Sequence, residues 1–256
     1  MPPRKKQKTA TAASTASNPS PDFPSASLLT LALTHHPYAL SLRSKEHTKT
    51  PDALTDLDAW LTTTLSAKIA SAQPITKPDM TSLMKWKLAR GKSRPTLLGL
   101  VASNAEALVM RSTSAALQTV RAATDIDGAL LALPDACALR GVGAATASAL
   151  LTLHPPHLLP FMSDEAAAFF VSSLGGIKYT DAFYAKFARA MRGTVVRLNA
   201  DLAADAQIWD CMKLERALFA LNILRKHGEE GILDADPGSS TSPSGSLKRR
   251  RDGGDE

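Results

Sequence analysis

Cysteine is scarce in this 256-residue chain: only Cys137 and Cys211 occur. Two isolated cysteines form neither a disulfide framework nor a zinc pattern, and they exclude a four-cysteine iron–sulfur cluster. That usage points to an intracellular protein. Aromatics make up 5% of the residues, and the period-two alternation of Val, Ile and aromatic residues that marks strands is almost absent. The expected fold class is therefore all-α. No apolar run reaches the length of a membrane span, and the N-terminus lacks the apolar core of a secretory signal, so no membrane partner is expected. His35 and His36 stand together without a third ligand nearby; a surface loop is the expected setting, and no metal or other cofactor is expected.

What is present is helix-forming and basic. The net charge is +6 and the isoelectric point about 9.4. Two low-complexity tails, expected to be disordered, at 1–27 and 234–256 carry 8 of the 30 Lys and Arg residues. Arg4, Lys5, Lys6 and Lys8 form one basic run, and Lys248 to Arg251 the other. Two such runs point to the nuclear import machinery as a partner and to a nuclear location. Between them, 28–233 is expected to form a single helical domain. Its 22 Lys and Arg stand against 18 Asp and Glu, so its basic character is local.

Within that domain the periodicity predicts a short helix over 28–33, capped by Ser27, and one over 53–72, capped by Asp52. A helix starting at Asp79 or Thr81 and stopped by Gly91 comes next. Helices over 96–102 and 105–123 follow, then one capped by Asp125. Later helices are expected over 166–174, from Thr180 or Asp181 past Met191, and over 205–224. Lys85, Lys87, Arg90, Lys92 and Arg94 place five cations in ten positions around the turn before Pro95. Such crowding is repulsive unless an anion relieves it, and a nucleic-acid backbone is the natural anion. The alternative is a solvated basic face around a buried Trp86.

The centre of the chain is Leu139-Arg140-Gly141-Val142-Gly143, followed by a slim helix over 144–153. Two glycines around one apolar residue predict a tight turn between helices, with Gly141 and Gly143 in conformations closed to a Cβ and Val142 pinning the helices together. Amides from Gly143 to Ala145 would then lie free at a helix N-terminus, where backbone N–H groups and the helix dipole favour a phosphate. Thr146, Ala147 and Ala149 keep that helix narrow enough for close approach.

This stretch, LRGVGAATASALL followed by HPPHLLPFM and Ser163-Asp164-Glu165, resembles the helix-hairpin-helix motif of the DNA-glycosylase superfamily. The resemblance covers about 40 residues. It implies a single all-α domain built around a helix-hairpin-helix, a duplex-DNA partner held by Arg140, Gly141, Val142, Gly143, Ala145 and Thr146, and Asp164 as a catalytic carboxylate, with Glu165 the substitute. That carboxylate would stabilise positive charge on the sugar or activate a water. Bifunctional members carry a lysine where this chain has Ala145, so the resemblance implies no lyase step by that route. The chain also resembles uncharacterised, mostly fungal proteins that share a K-W-K-L-x-R-G-K-x-R-P stretch and a P-F-x-S-D-E segment. That likeness implies that Lys85 to Pro95 and Phe161 to Glu165 belong to one unit.

The expected function is thus a nuclear DNA-binding protein of glycosylase-like helix-hairpin-helix fold, with or without monofunctional base excision on Asp164. The alternatives are a non-catalytic DNA-binding or scaffold module in repair or chromatin, and a helical protein-interaction domain whose glycine turn is only a turn. Trp86, Tyr179 and Tyr184 are candidates to stack on a base, though aromatics at helical spacing are more often core.

Overall fold

Apolar residues recurring at spacings of three and four fold the described chain into short helices, with no strand among the described residues. The computed structural model describes residues 23–46, 53–154, 158–200, 202 and 208–234. The basic runs at Arg4–Lys8 and Lys248–Arg251, and the Asp52 cap, lie outside them.

The folded region begins earlier than the expected boundary at 28. Phe23 packs on Phe169 and Phe170, with centroid distances of 6.3 and 5.4 Å. Ser25, not Ser27, caps α1 (Ala26–Thr34), its hydroxyl accepting from the Leu28 amide at 3.3 Å. The expected loop at His35 to Pro37 is instead the start of α2 (His36–Glu46), with His36 buried near Phe219. Pro37 fits there because first-turn positions need no N–H donor. The run expected over 53–72 forms as α3 (Ala53–Trp60), a π-helical stretch (Leu61–Leu65) and α4 (Ser66–Ala70). Its apolar face buries Leu54, Leu61, Leu65 and Ile69.

α5 (Lys77–Arg90) starts before Asp79 because Thr76 forms a reciprocal capping box with that residue. Gly91 closes it, and α6 (Pro95–Ala102) and α7 (Glu106–Ala122) follow. Asp125 caps α8 (Ile126–Leu130), accepting from the Gly128 amide at 2.8 Å. Next come α9 (Leu133–Cys137), the glycine turn, and α10 (Ala144–Leu151). α11 (Asp164–Ala168) and α12 (Val171–Leu174) divide the run expected over 166–174. α13 (Asp181–Ala200) extends well past Met191. α14 (Cys211–Lys226) begins at its Asp210 cap, six residues later than expected, and a short 3-10 turn (Glu230–Leu233) ends the described chain.

α14 is the core helix of one half, burying Leu214, Leu218, Phe219, Leu221 and Leu224. α1 and α2 pack against it, as do α11 and α13. α5 joins this half to the other, packing against α2, α3, α6, α7 and α10. The result is a single all-helical domain in which the C-terminal end of α5 meets both the glycine turn and α11. Among the described residues no helix is long and apolar enough to cross a membrane.

Candidate nucleic-acid interface

Residues 138–143 turn the chain from α9 into α10, and the two glycines in them do different work. Gly141 has φ +80°, and a Cβ there would come within 2.8 Å of Leu100 Cβ and 3.1 Å of the Leu97 carbonyl oxygen. It is required both for its conformation and for the close approach of α6. Gly143 departs from expectation: its φ is −112°, open to any residue, and a Cβ there would meet nothing within 4 Å. Its backbone strain is nil, and what it keeps clear is the space outside the turn. Val142 is buried, as its expected pinning role requires.

The turn is braced from the end of α6. Asn104, buried after α6, accepts from the Arg140 amide at 2.9 Å and donates to the Arg140 carbonyl at 3.0 Å. One side-chain amide thereby satisfies both backbone groups of Arg140, as a neighbouring strand would. The Arg140 side chain is exposed. No side chain caps α10 at Gly143, so its first amides face outward with the positive end of the helix dipole.

A groove of about 300 Å³ lies over this turn. Gly141, Val142, Gly143, Ala144, Ala145 and Thr146 form one wall, and Lys87, Arg94, Leu97 and Tyr179 face them. None of these lining residues is acidic. Arg94 is exposed, with its guanidinium 4.7 Å from the centre of the Tyr179 ring. Lys87 is half-buried, and its ammonium makes no hydrogen bond or ion pair among the described residues. Burial, and then the Arg94 charge, hold its ammonium below the ordinary lysine range, while Asp164 acts in the opposite direction.

A second, smaller cavity of about 30 Å³ adjoins the groove and shares Lys87, Arg94, Ala145 and Tyr179 with it. Its remaining lining includes Gly91, Lys92, Phe161 and the run Met162 to Glu165. The segments around Lys85–Pro95 and Phe161–Glu165 therefore meet beside the glycine turn. Asp164 is in the first turn of α11, accepting from the Tyr179 hydroxyl at 2.6 Å, with Lys92 Nζ 3.7 Å away. Burial and the Asp164 contact push the Tyr179 phenol up to about 12, so it stays a donor at neutral pH. Ser163 caps α11, accepting from the Ala166 amide at 3.2 Å, so the capping explanation of Ser-Asp-Glu holds as well. At about 30 Å³ this cavity holds water rather than a base; sites for small molecules start at roughly 300 Å³.

The five clustered cations separate. Lys87 and Arg94 line both cavities, and Lys92 and Arg90 line the smaller one alone. Lys85 is exposed but lines neither. Arg90 turns inward and does not line the groove. It is 2% exposed, and its Nη2 donates to both Glu215 oxygens at 2.9 Å. Its guanidinium lies among Trp86, Phe161 and Phe219, 4.0 Å from the centre of the last ring. Ser163 donates to the same Glu215 carboxylate at 2.5 Å. Arg43 donates to the Arg90 and Gly91 carbonyls at 2.8 and 2.9 Å, tying down the end of α5. Glu165 belongs to this buried set rather than to the groove: burial raises its carboxyl above the ordinary range, against Arg90 and the Arg43 guanidinium 3.9 Å away.

Among the described residues no cluster of three His, Cys, Asp or Glu could hold a metal. Of the stacking candidates, Trp86 and Tyr184 are buried, Trp86 donating to Asp58 at 3.0 Å and Tyr184 to the Pro160 carbonyl at 3.0 Å. Tyr179 remains at the surface. Arg43 and Glu215 carry no local sequence signal, since their partners lie 47 and 125 residues away. Comparison with family models, curated proteins and solved structures finds no match for this chain.

Proposed function

We propose that this chain is a nuclear DNA-binding protein that grips the duplex backbone through the groove over Gly141–Thr146, with α9, the glycine turn and α10 acting as a helix-hairpin-helix. One observation carries the reading. An uncapped helix N-terminus, an exposed glycine with open space around it, and two cations without carboxylate partners converge on a groove with no acidic lining residue. A phosphate satisfies all of these groups together: amides and dipole from α10, charge from Lys87 and Arg94. A protein-interaction surface has no comparable need for an anion. The nuclear location rests on the two basic runs of the tails.

Gly143→Asp tests this directly. The substitution meets no neighbour and no backbone strain, so the variant folds, while its carboxylate occupies the phosphate position. Duplex affinity should drop by about ten-fold or more regardless of sequence, since a backbone contact carries no sequence information. Unchanged affinity would sink the reading.

Base excision on Asp164 is a second reading, supported by the position of Asp164 in a cavity that opens from the groove. It requires Tyr179 to release the carboxylate and the cavity to widen. Release of free base from damaged duplexes by the wild type and not by Asp164→Asn is the result it needs.

A further inference from the structure

Lys92-Ser93-Arg94 joins α5 to α6 without helical structure of its own. The backbone there is drawn out, with φ −111° at Gly91 and −138° at Arg94. Side chains alternate along such backbone. Lys92 reaches towards Asp164 and Arg94 lies over Tyr179, both on the side of the two cavities, which leaves Ser93 to the other side. Ser93 is exposed, lines neither cavity and makes no hydrogen bond among the described residues. Other exposed hydroxyls, among them Thr30, Thr34, Ser71 and Ser103, donate to carbonyls three or four residues back. A modifying enzyme can therefore lay 92–94 along its cleft without unwinding a helix or breaking a hydrogen bond of Ser93. Lys92 and Arg94 on either side favour a cleft with acidic walls. Arg90 takes no part in that recognition, because Glu215 holds it inside the fold.

We propose that Ser93 is a phosphorylation site and that its phosphate closes the groove to DNA. This regulates the binding surface described above and rests on that reading. In the transfer, Ser93 Oγ attacks the γ-phosphorus of ATP held by a serine kinase. The Oγ proton passes to a carboxylate of the kinase, the bond from the γ-phosphorus to the bridging oxygen breaks, and its electron pair leaves with ADP. The product carries about −1.5 to −2 charges at neutral pH, one residue from Arg94. Lys87 and Arg94 are the cations that line the groove, so the added charge cancels most of what a duplex phosphate would meet. A guanidinium pairs more strongly with a phosphate than with an aromatic ring, so Arg94 leaves Tyr179 for its neighbour. Hydrolysis of the phosphoester by a phosphatase, with water as co-reactant, restores the groove.

The test uses the full chain, magnesium ATP and the catalytic subunit of cyclic-AMP-dependent kinase, which selects serines among basic residues. Phosphate is mapped by peptide mass spectrometry, and affinity for an undamaged duplex is measured before and after treatment. Ser93→Ala is treated in the same way, because the tails also hold serines and threonines. Phosphate should map to Ser93 in the wild type. The treated wild type should bind at least about ten-fold more weakly than treated Ser93→Ala, with a salt slope lower by about one unit for the lost Arg94 contact. Untreated, the two proteins should bind alike. A folded wild type that takes no phosphate at Ser93 would overturn the inference. So would equal affinities of the two treated proteins with Ser93 occupied in the wild type. Either result leaves the DNA-binding reading standing. Absence of duplex affinity in the untreated wild type would remove that reading and this inference with it.

Discussion

Lys87 and Arg90 lie three residues apart on α5, and they divide the molecule into two kinds of charged region. Around Arg90 the opposite charge comes from within the fold: Glu215 takes the guanidinium, Ser163 donates to Glu215, and Arg43 holds the backbone at the helix end, while Arg90 Nε and Glu165 Oε2 make no hydrogen bond. Around Lys87 the cations face a groove without carboxylates. The same residue types therefore pair within the fold on one side of the helix and are left without a carboxylate on the other. What separates them is where the opposite charge comes from. In the buried cluster α14 supplies it; no residue lining the groove does.

The comparison breaks most readily on the buried side. Arg90→Met leaves Glu215 charged and without its partner, and should destabilise the fold by about 3–5 kcal/mol, seen as a melting temperature lower by roughly 10 °C. Adding Glu215→Leu should restore much of that loss, since the double replacement leaves no unpaired buried charge. If the single variant melts like the wild type, the ion pair is not holding α5 to α14. A smaller effect separates the two glycines. Gly141→Ala should cost about 1–3 kcal/mol from its positive φ, with the approach of Leu100 adding to it. Gly143→Ala should change stability by less than about 0.5 kcal/mol. Equal losses in denaturant titrations would mean that the turn is not braced as described.

A further stability effect concerns pH. His36 is buried, and burial, followed by the Arg90 and Arg216 charges, holds its imidazole well below the ordinary range. The folded chain keeps it neutral while the unfolded chain protonates it below about pH 6.5. Its contribution is therefore intact above that pH and is lost as the pH falls towards the folded-state value. The slope should be at most about 1.4 kcal/mol per pH unit. His36→Phe should flatten the decline in urea midpoint between pH 7 and 5.5; an unchanged slope would assign the decline to other groups. Glu46 enters only at lower pH. Burial alone would raise its carboxyl, but Lys226, His227 and Arg43 outweigh it and hold it down at about 2, so its support is present above the ordinary carboxylate range and fades below it.

Helix content and the position of most helices were legible from periodicity and caps. Asp125, Gly91 and Pro95 act locally, so their neighbours reveal them. α2 was not legible, because His35-His36-Pro37 reads as a break while in the fold Pro37 opens a helix and His36 is buried. The glycine turn and the cations near it were visible as a pair of features, and they do share one groove. The fate of each cation was not visible. Nothing near Arg90 in the sequence indicates Glu215, and nothing near Arg140 indicates that Asn104 holds its backbone. Those pairings depend on how distant helices meet, and the three- and four-residue spacing of one helix carries no information about its partner.

The central claim is that the groove side of α5 binds a nucleic-acid backbone. Its most direct test is duplex affinity of the full chain as a function of salt, for the wild type and for Lys87→Ala with Arg94→Ala, the basic tails being the same in both. Each phosphate contact contributes about one unit to the slope of log affinity against log salt, so the double variant should lose about two units while melting normally. Identical slopes for the two proteins would mean that the tails carry all the affinity and that the groove does not touch the backbone.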